Sequence, residues 1–201
     1  MTGKPKKKSA FDTVVAVLVQ ETTEDGSNLL LGESFDERML SLLSQSFTAD
    51  TLVSALSAPD VCVRLFYGDA PSTVASVNVI IDYLRNRFEK ERGETFDGRF
   101  DAVELPASRW GVKMEAAMKH CFDEGFKKVV FMGSRSPTVT VSLIQQAIKH
   151  LDNCDAVFGP TVEGRYYLLG MKGKYHTQLS KFDWTKPSIY SDVSSALTEE
   201  G

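Results

Sequence analysis

Two stretches of the chain carry residue types that do chemistry: "GSRSPTV" at 133–139 and "GPTVEGRYYLLGM" at 159–171. Each follows a short apolar run that reads as a strand. Gly133, Ser134, Arg135 and Ser136 in the first, and Gly159, Pro160, Glu163, Gly164, Arg165 and Tyr166 in the second, therefore fall where a strand ends or the next begins. Glycines let the backbone turn or approach a ligand closely. A guanidinium matches the oxygens of a phosphate with two parallel hydrogen bonds, and successive backbone N–H groups of a turn assist it. Glu163 is the one acid in the two stretches and so their one general-base candidate.

The elements that must position these residues can be read from hydrophobic periodicity. Residues 14–19 are apolar on both faces, as in a strand covered by helices. Met39, Leu42, Leu43, Phe47, Leu52, Val53 and Leu56 then recur at helical spacing. "DVCVRLFYG" alternates as a strand, and Val77, Ile80, Ile81, Leu84 and Phe88 mark a helix over 74–88. "FDAVELP" predicts a third strand and "GVKMEAAMKHCFDEG" a helix capped by Gly125. The strand 129–133, a helix over 143–151, and strands in "CDAVFGP" and "RYYLLGM" complete the pattern. Strands alternating with helices predict a three-layer α/β/α sandwich with a mostly parallel sheet. Ligands in such sheets gather outside the carboxyl ends of the strands, which singles out residues 21–33, 134–140 and 159–165.

The 201 residues suit one domain over 11–201 behind a flexible basic tail, 1–10, that holds Lys4, Lys6, Lys7 and Lys8. A net charge of −4 argues against general attraction to nucleic acid or an anionic membrane. No apolar run approaches the roughly 20 residues of a membrane span. Cys62, Cys121 and Cys154 show no CxxC spacing and sit beside apolar neighbours, so they read as core thiols of a reduced, cytoplasmic protein.

The order of the two motifs resembles a bacterial GT-A-like glycosyltransferase family, long catalogued as a domain of unknown function, within the nucleotide-diphospho-sugar transferase superfamily. There a strand ends in Gly-Ser-Asp-Ser-Pro-Asp-Leu, and after a helix another runs into Gly-Pro-Ala-x-Asp-Gly-Gly-Tyr-Tyr-Leu-Ile-Gly. "RWGVKMEAAMKHCFDEG" and "FDWTKPSIYSDV" also resemble family segments, so the likeness covers about residues 100–197. It implies a nucleotide sugar or related phosphorylated small molecule as ligand, and Mg²⁺ or Mn²⁺ held by carboxylates against the donor diphosphate. Here Arg135 and Thr138 stand at the two aspartate positions of the first motif, and Arg165 replaces a glycine in the second. Glu163 is the acid retained, and the metal ligand if there is one. The family's Lys-Thr-Arg-Leu element has no match in "GSNLLLGE", where Asn28 and leucines stand. Metal-dependent activity weakened or lost is what these departures imply.

Three readings of Arg135 follow. It binds phosphate in place of the metal, with Arg165 nearby. Alternatively it pairs with Glu163 and fills the site, leaving a catalytically inactive scaffold or regulatory module that acts on a protein partner. In the third reading Asp69, after the second strand, recruits a metal from another direction. His120 and His150 read as helix-surface or capping residues, His176 as a loop residue, and Tyr166 and Tyr167 as pointing to opposite faces. Trp184 reads as a packing residue, with an acceptor platform as the alternative.

Overall fold

A computed structural model describes residues 11–20, 35–94, 98–174 and 178–199. The tail 1–10, the 21–33 loop with Asn28, and His176 lie outside them. In chain order the elements are β1 (Thr13–Leu18), α1 (Glu37–Ser57), β2 (Val61–Gly68), α2 (Pro71–Arg85), β3 (Phe100–Leu105) and α3 (Trp110–Asp123). They continue with β4 (Lys128–Gly133), α4 (Val141–His150), β5 (Ala156–Pro160), β6 (Tyr166–Lys172) and α5 (Ile189–Glu199). A widened helical turn, Asn86–Glu91, extends α2 and buries Phe88.

Local chemistry explains the boundaries. Asp36 caps α1 by accepting from the Met39 N–H at 2.8 Å, and Pro71 opens α2 where its missing N–H costs nothing. Gly125 ends α3 at φ 92°, while Phe126 N–H reaches back to Cys121 O and Gly125 N–H to Phe122 O. That double bond and the left-handed residue define a Schellman stop, as Gly125 led one to expect.

The strands form one six-stranded sheet in the order β3-β2-β1-β4-β6-β5. β1 pairs in parallel with β2 and β4, and β2 with β3, whereas β6 runs antiparallel to both β4 and β5. One face, through Val15, Val17, Val63 and Val130, packs on Leu52, Ile80, Leu84 and Ile144 of α1, α2 and α4. The other, through Val14, Ala16, Phe66 and Phe131, packs on Met114, Met118 and Cys121 of α3 and on Val193 of α5. The expected three-layer sandwich is therefore present, and β1 is buried throughout.

Two expectations are corrected. Met39 and Leu42, placed on the buried stripe of α1, are 45% and 49% exposed, because only the later turns of the helix lie over the sheet. Cys154 is exposed beyond α4, while Cys62 and Cys121 are buried. Burial, reinforced by the nearby Glu124 carboxylate, pushes the Cys121 thiol far up and leaves it un-ionised at neutral pH. Among the described residues no helix is long and apolar enough to cross a membrane.

Candidate active site

β1 has neighbours reached by crossovers on opposite sides of the sheet, so the carboxyl ends of β1 and β4 flank a topological switch point. A cavity of about 640 Å³ opens there. Its lining includes Gln20 after β1, Gly133 at the end of β4, Arg135 and Ser136 after it, and Arg165 and Tyr166 at the start of β6. Ser108 to Gly111 at the start of α3 and residues 180–185 line it as well.

An aromatic wall fixes the shape. Trp110 Nε1 donates to Tyr166 Oη at 2.7 Å, and the Tyr166 hydroxyl lies 3.4 Å from Met114 Sδ. Trp184 meets the Tyr166 ring edge-on at 5.0 Å and donates its own N–H to Leu179 O at 2.8 Å. Trp184 is 9% exposed and lies over Gly111, so it packs, as expected, and also lines the cavity. Tyr166 and Tyr167 do point to opposite faces, with Tyr167 packed on the α1, α2 and α4 side.

The electrostatics of the lining are one-sided. Arg109, Arg135, Arg165 and Lys181 line the cavity, against the single carboxylate of Asp183 among the described residues. Hydrogen bonds from Thr185 Oγ1 and N, with Lys186 nearby, hold the Asp183 carboxyl below its usual range. Arg135 Nη2 reaches Gln20 O at 3.5 Å.

The structure divides the residues singled out from sequence. Gly133, Arg135, Ser136, Arg165 and Tyr166 meet at the cavity. Ser134 does not: it is fully buried, its N–H donates to Leu18 O, its Oγ accepts from Gln20 N, and its carbonyl accepts from Thr51 Oγ1. It ties β1, β4 and α1 together. Gly159 is covered by the Tyr167 ring, where a Cβ would come within 2.6 Å, and Pro160 is exposed beside it. Gly164, at φ 76°, lets the turn pass Pro187 O, and its carbonyl accepts from Tyr190 N. Glu163 is exposed on that turn and is absent from the cavity lining. Among the described residues no ion pair joins Arg135 to Glu163. Asp69 is exposed after β2 and does not line the cavity either.

Arg109, Lys181 and Asp183 were missed. They sit on helix and loop termini whose approach to the β4 end is tertiary, although Arg109 and Asp183 lie in the "RWGVKMEAAMKHCFDEG" and "FDWTKPSIYSDV" segments of the resemblance, with Lys181 just before the second. The divalent ion implied by the resemblance does not fit the donors among the described residues. Hard cations need several oxygen ligands, whereas the described lining is dominated by guanidinium and ammonium groups, and no cluster of three acidic, His or Cys side chains occurs among the described residues.

The fold of this six-stranded mixed sheet is shared with solved structures. The chain matches a candidate nucleotide-diphospho-sugar transferase of Desulfovibrio desulfuricans G20 with a TM-score of 0.70 at 22% identity, covering 94% of this chain and 77% of that one. It also matches 4-diphosphocytidyl-2C-methyl-D-erythritol synthase of Anaerococcus prevotii, with a TM-score of 0.56 at 13% identity over 91% and 82% of the two chains. Rv0371c of Mycobacterium tuberculosis, in complex with manganese, gives a TM-score of 0.51 at 14% identity over 90% and 81%. Residues 70–186 match the family described as "Uncharacterized protein conserved in bacteria (DUF2064)", and the chain belongs to that family. No curated protein matches it.

Proposed function

We propose that this chain is a GT-A-type, nucleotide-diphospho-sugar transferase-like protein whose cavity binds a nucleotide sugar or related phosphate ester, with metal-dependent activity weakened or lost. The observation that carries this is the cavity at the switch point, where among the described residues four cationic side chains and one carboxylate lie beside an aromatic wall. Cations supply affinity for phosphate oxygens and the wall supplies a surface for a flat base or a sugar face. Glu163 remains the acid of the second motif, but from an exposed turn outside the lining it is assigned no catalytic step. The reduced cysteines accord with a cytoplasmic protein acting as one domain over 11–201.

A second reading is a catalytically inactive member that works through protein contacts. It draws on Met39 and Leu42 of α1 and Val79 and Tyr83 of α2, which are large, apolar and exposed.

Thermal shift of the full chain against nucleotides, nucleotide sugars and unphosphorylated sugars, with and without Mg²⁺ and Mn²⁺, separates the two. Phosphorylated ligands are expected to raise the midpoint and unphosphorylated sugars to leave it unchanged. If nothing phosphorylated raises it, the binding reading is lost.

A further inference from the structure

The geometry points to Trp110 as the platform on which the base of a nucleotide stacks, with Tyr166 as the positioning residue that holds the indole. This rests on the reading of the cavity as a nucleotide-type site and goes further, to the part of the ligand that the aromatic wall takes.

The wall is built from the first turn of α3 and the first residue of β6. Trp110 and Met114 stand one helical turn apart and so share a face of α3. The Tyr166 hydroxyl spans them, accepting from Trp110 Nε1 at 2.7 Å and donating toward Met114 Sδ at 3.4 Å. The polar edges of both rings are thereby turned into the wall. Trp184 is arranged alike: its N–H goes to Leu179 O at 2.8 Å, and the ring is packed over Gly111. Trp110 is the more exposed of the two indoles, and it lines the cavity.

Phe131 meets the Trp110 ring at 75° with centroids 6.2 Å apart, and Tyr166 bonds its Nε1 edge, so among the described residues no ring lies parallel on the indole. Gly133, at the end of β4, has the six-membered ring of Trp110 as the nearest neighbour of an added Cβ, at 3.8 Å. A side chain there would occupy space beside the indole that a ligand ring can use. A surface whose N–H and O–H groups are bonded internally offers a ligand a π face and few hydrogen bonds. That suits a nucleobase, which stacks through its own π face whatever its edges carry. It suits a sugar poorly, since sugar hydroxyls taken out of water need donors and acceptors. The one carboxylate among the described lining residues, Asp183, already accepts from Thr185.

The test is titration of the full chain, in Mg²⁺ and again in EDTA, with CDP, UDP, ADP and GDP, with UDP-glucose, with cytidine and adenosine, and with pyrophosphate, read by calorimetry and tryptophan emission. The nucleoside diphosphates are expected to bind more tightly than pyrophosphate and to quench the emission, which pyrophosphate leaves unchanged. Trp110→Ala should weaken all four by a similar factor, about tenfold or more, as removal of a base-stacking ring does. Trp110→Phe, which keeps a ring, should restore part of the affinity. Tyr166→Phe, which keeps the packing and drops the bond to Nε1, should weaken the four by less than Trp110→Ala does. Pyrophosphate affinity should be the same in all three variants, which a general loss of structure would not leave untouched. Unfolding midpoints are recorded alongside, and the two phenylalanine variants report even if Trp110→Ala fails to fold. Nucleoside diphosphates that bind no tighter than pyrophosphate, that ignore the Trp110 variants, or that weaken only in step with pyrophosphate overturn the platform and spare the proposed function. So does a loss confined to UDP-glucose, which would put the sugar on the indole. Trp110-dependent binding of the nucleosides with no gain from any phosphate does the reverse, and no binding by any of these probes ends both.

Discussion

A Cβ on Gly111 would stand 2.6 Å from Trp184 Nε1 and 2.7 Å from the Leu179 carbonyl, so the first turn of α3 and the segment that walls the cavity meet at backbone distance. Trp184 can lie flat there and bond Leu179 O only because nothing projects from residue 111. Gly111→Ala is expected to cost about 1–3 kcal/mol through forced displacement of a packed indole. Urea unfolding followed by tryptophan fluorescence checks it, and an unchanged midpoint would mean that the indole moves freely. The residue types at the cavity were legible: Arg135 and Arg165 stood out as charges at strand ends. The roles of Ser134, Gly159 and Gly164 were not, because a serine that faces a ligand and one that staples two strands look identical in a sequence.

Elements hold their places through a few charged groups that reach between them. Arg99, just before β3, donates to Leu56 O at 2.9 Å, Ala58 O at 3.0 Å and Val61 O at 3.3 Å. It satisfies carbonyls that the end of α1 would otherwise leave without partners, and it fixes the turn into β2. Arg99→Ala should destabilise the fold by roughly 1.5–3 kcal/mol, as expected for hydrogen bonds from a charged donor. Chemical denaturation measures it, and Arg99→Lys should recover only part of the loss since one ammonium cannot span the same carbonyls. Element identity was legible because burial imposes period: Val77, Ile80, Leu84 and Phe88 are all buried, as their spacing required. The stripe on α1 misled at Met39 and Leu42, where the helix runs past the sheet it covers.

Across the whole molecule, charge is sorted by the two ends of the sheet. At the amino end of β4, Lys127 pairs with Asp12 and Lys128 with Asp152, while at the carboxyl end the cavity gathers three arginines and Lys181. The Lys128 hydrogen bond and charge hold the Asp152 carboxyl below its usual range. A carboxyl whose pKa is lower in the folded state contributes stability above its unfolded value, near 4, and loses that contribution as pH falls through the lowered folded value. Wild type should therefore exceed Asp152→Asn in stability at neutral pH and converge with it in acid. Unfolding curves across pH test this, and a gap that persists at the acid end would show another cause. Because the Asp152 carboxylate is exposed, added salt should narrow the neutral-pH gap.

The sequence by itself determined the layered α/β architecture, the strand ends that matter and the arginines that stand there, since periodicity and side-chain charge are properties of neighbours along a chain. Only the tertiary structure decided that β6 inserts antiparallel between β4 and β5, that Arg109 and Lys181 join the cavity, and that Glu163 is left outside it. Strand order and loop convergence depend on contacts between residues far apart in the chain, and no local pattern encodes which distant charges will share a cavity.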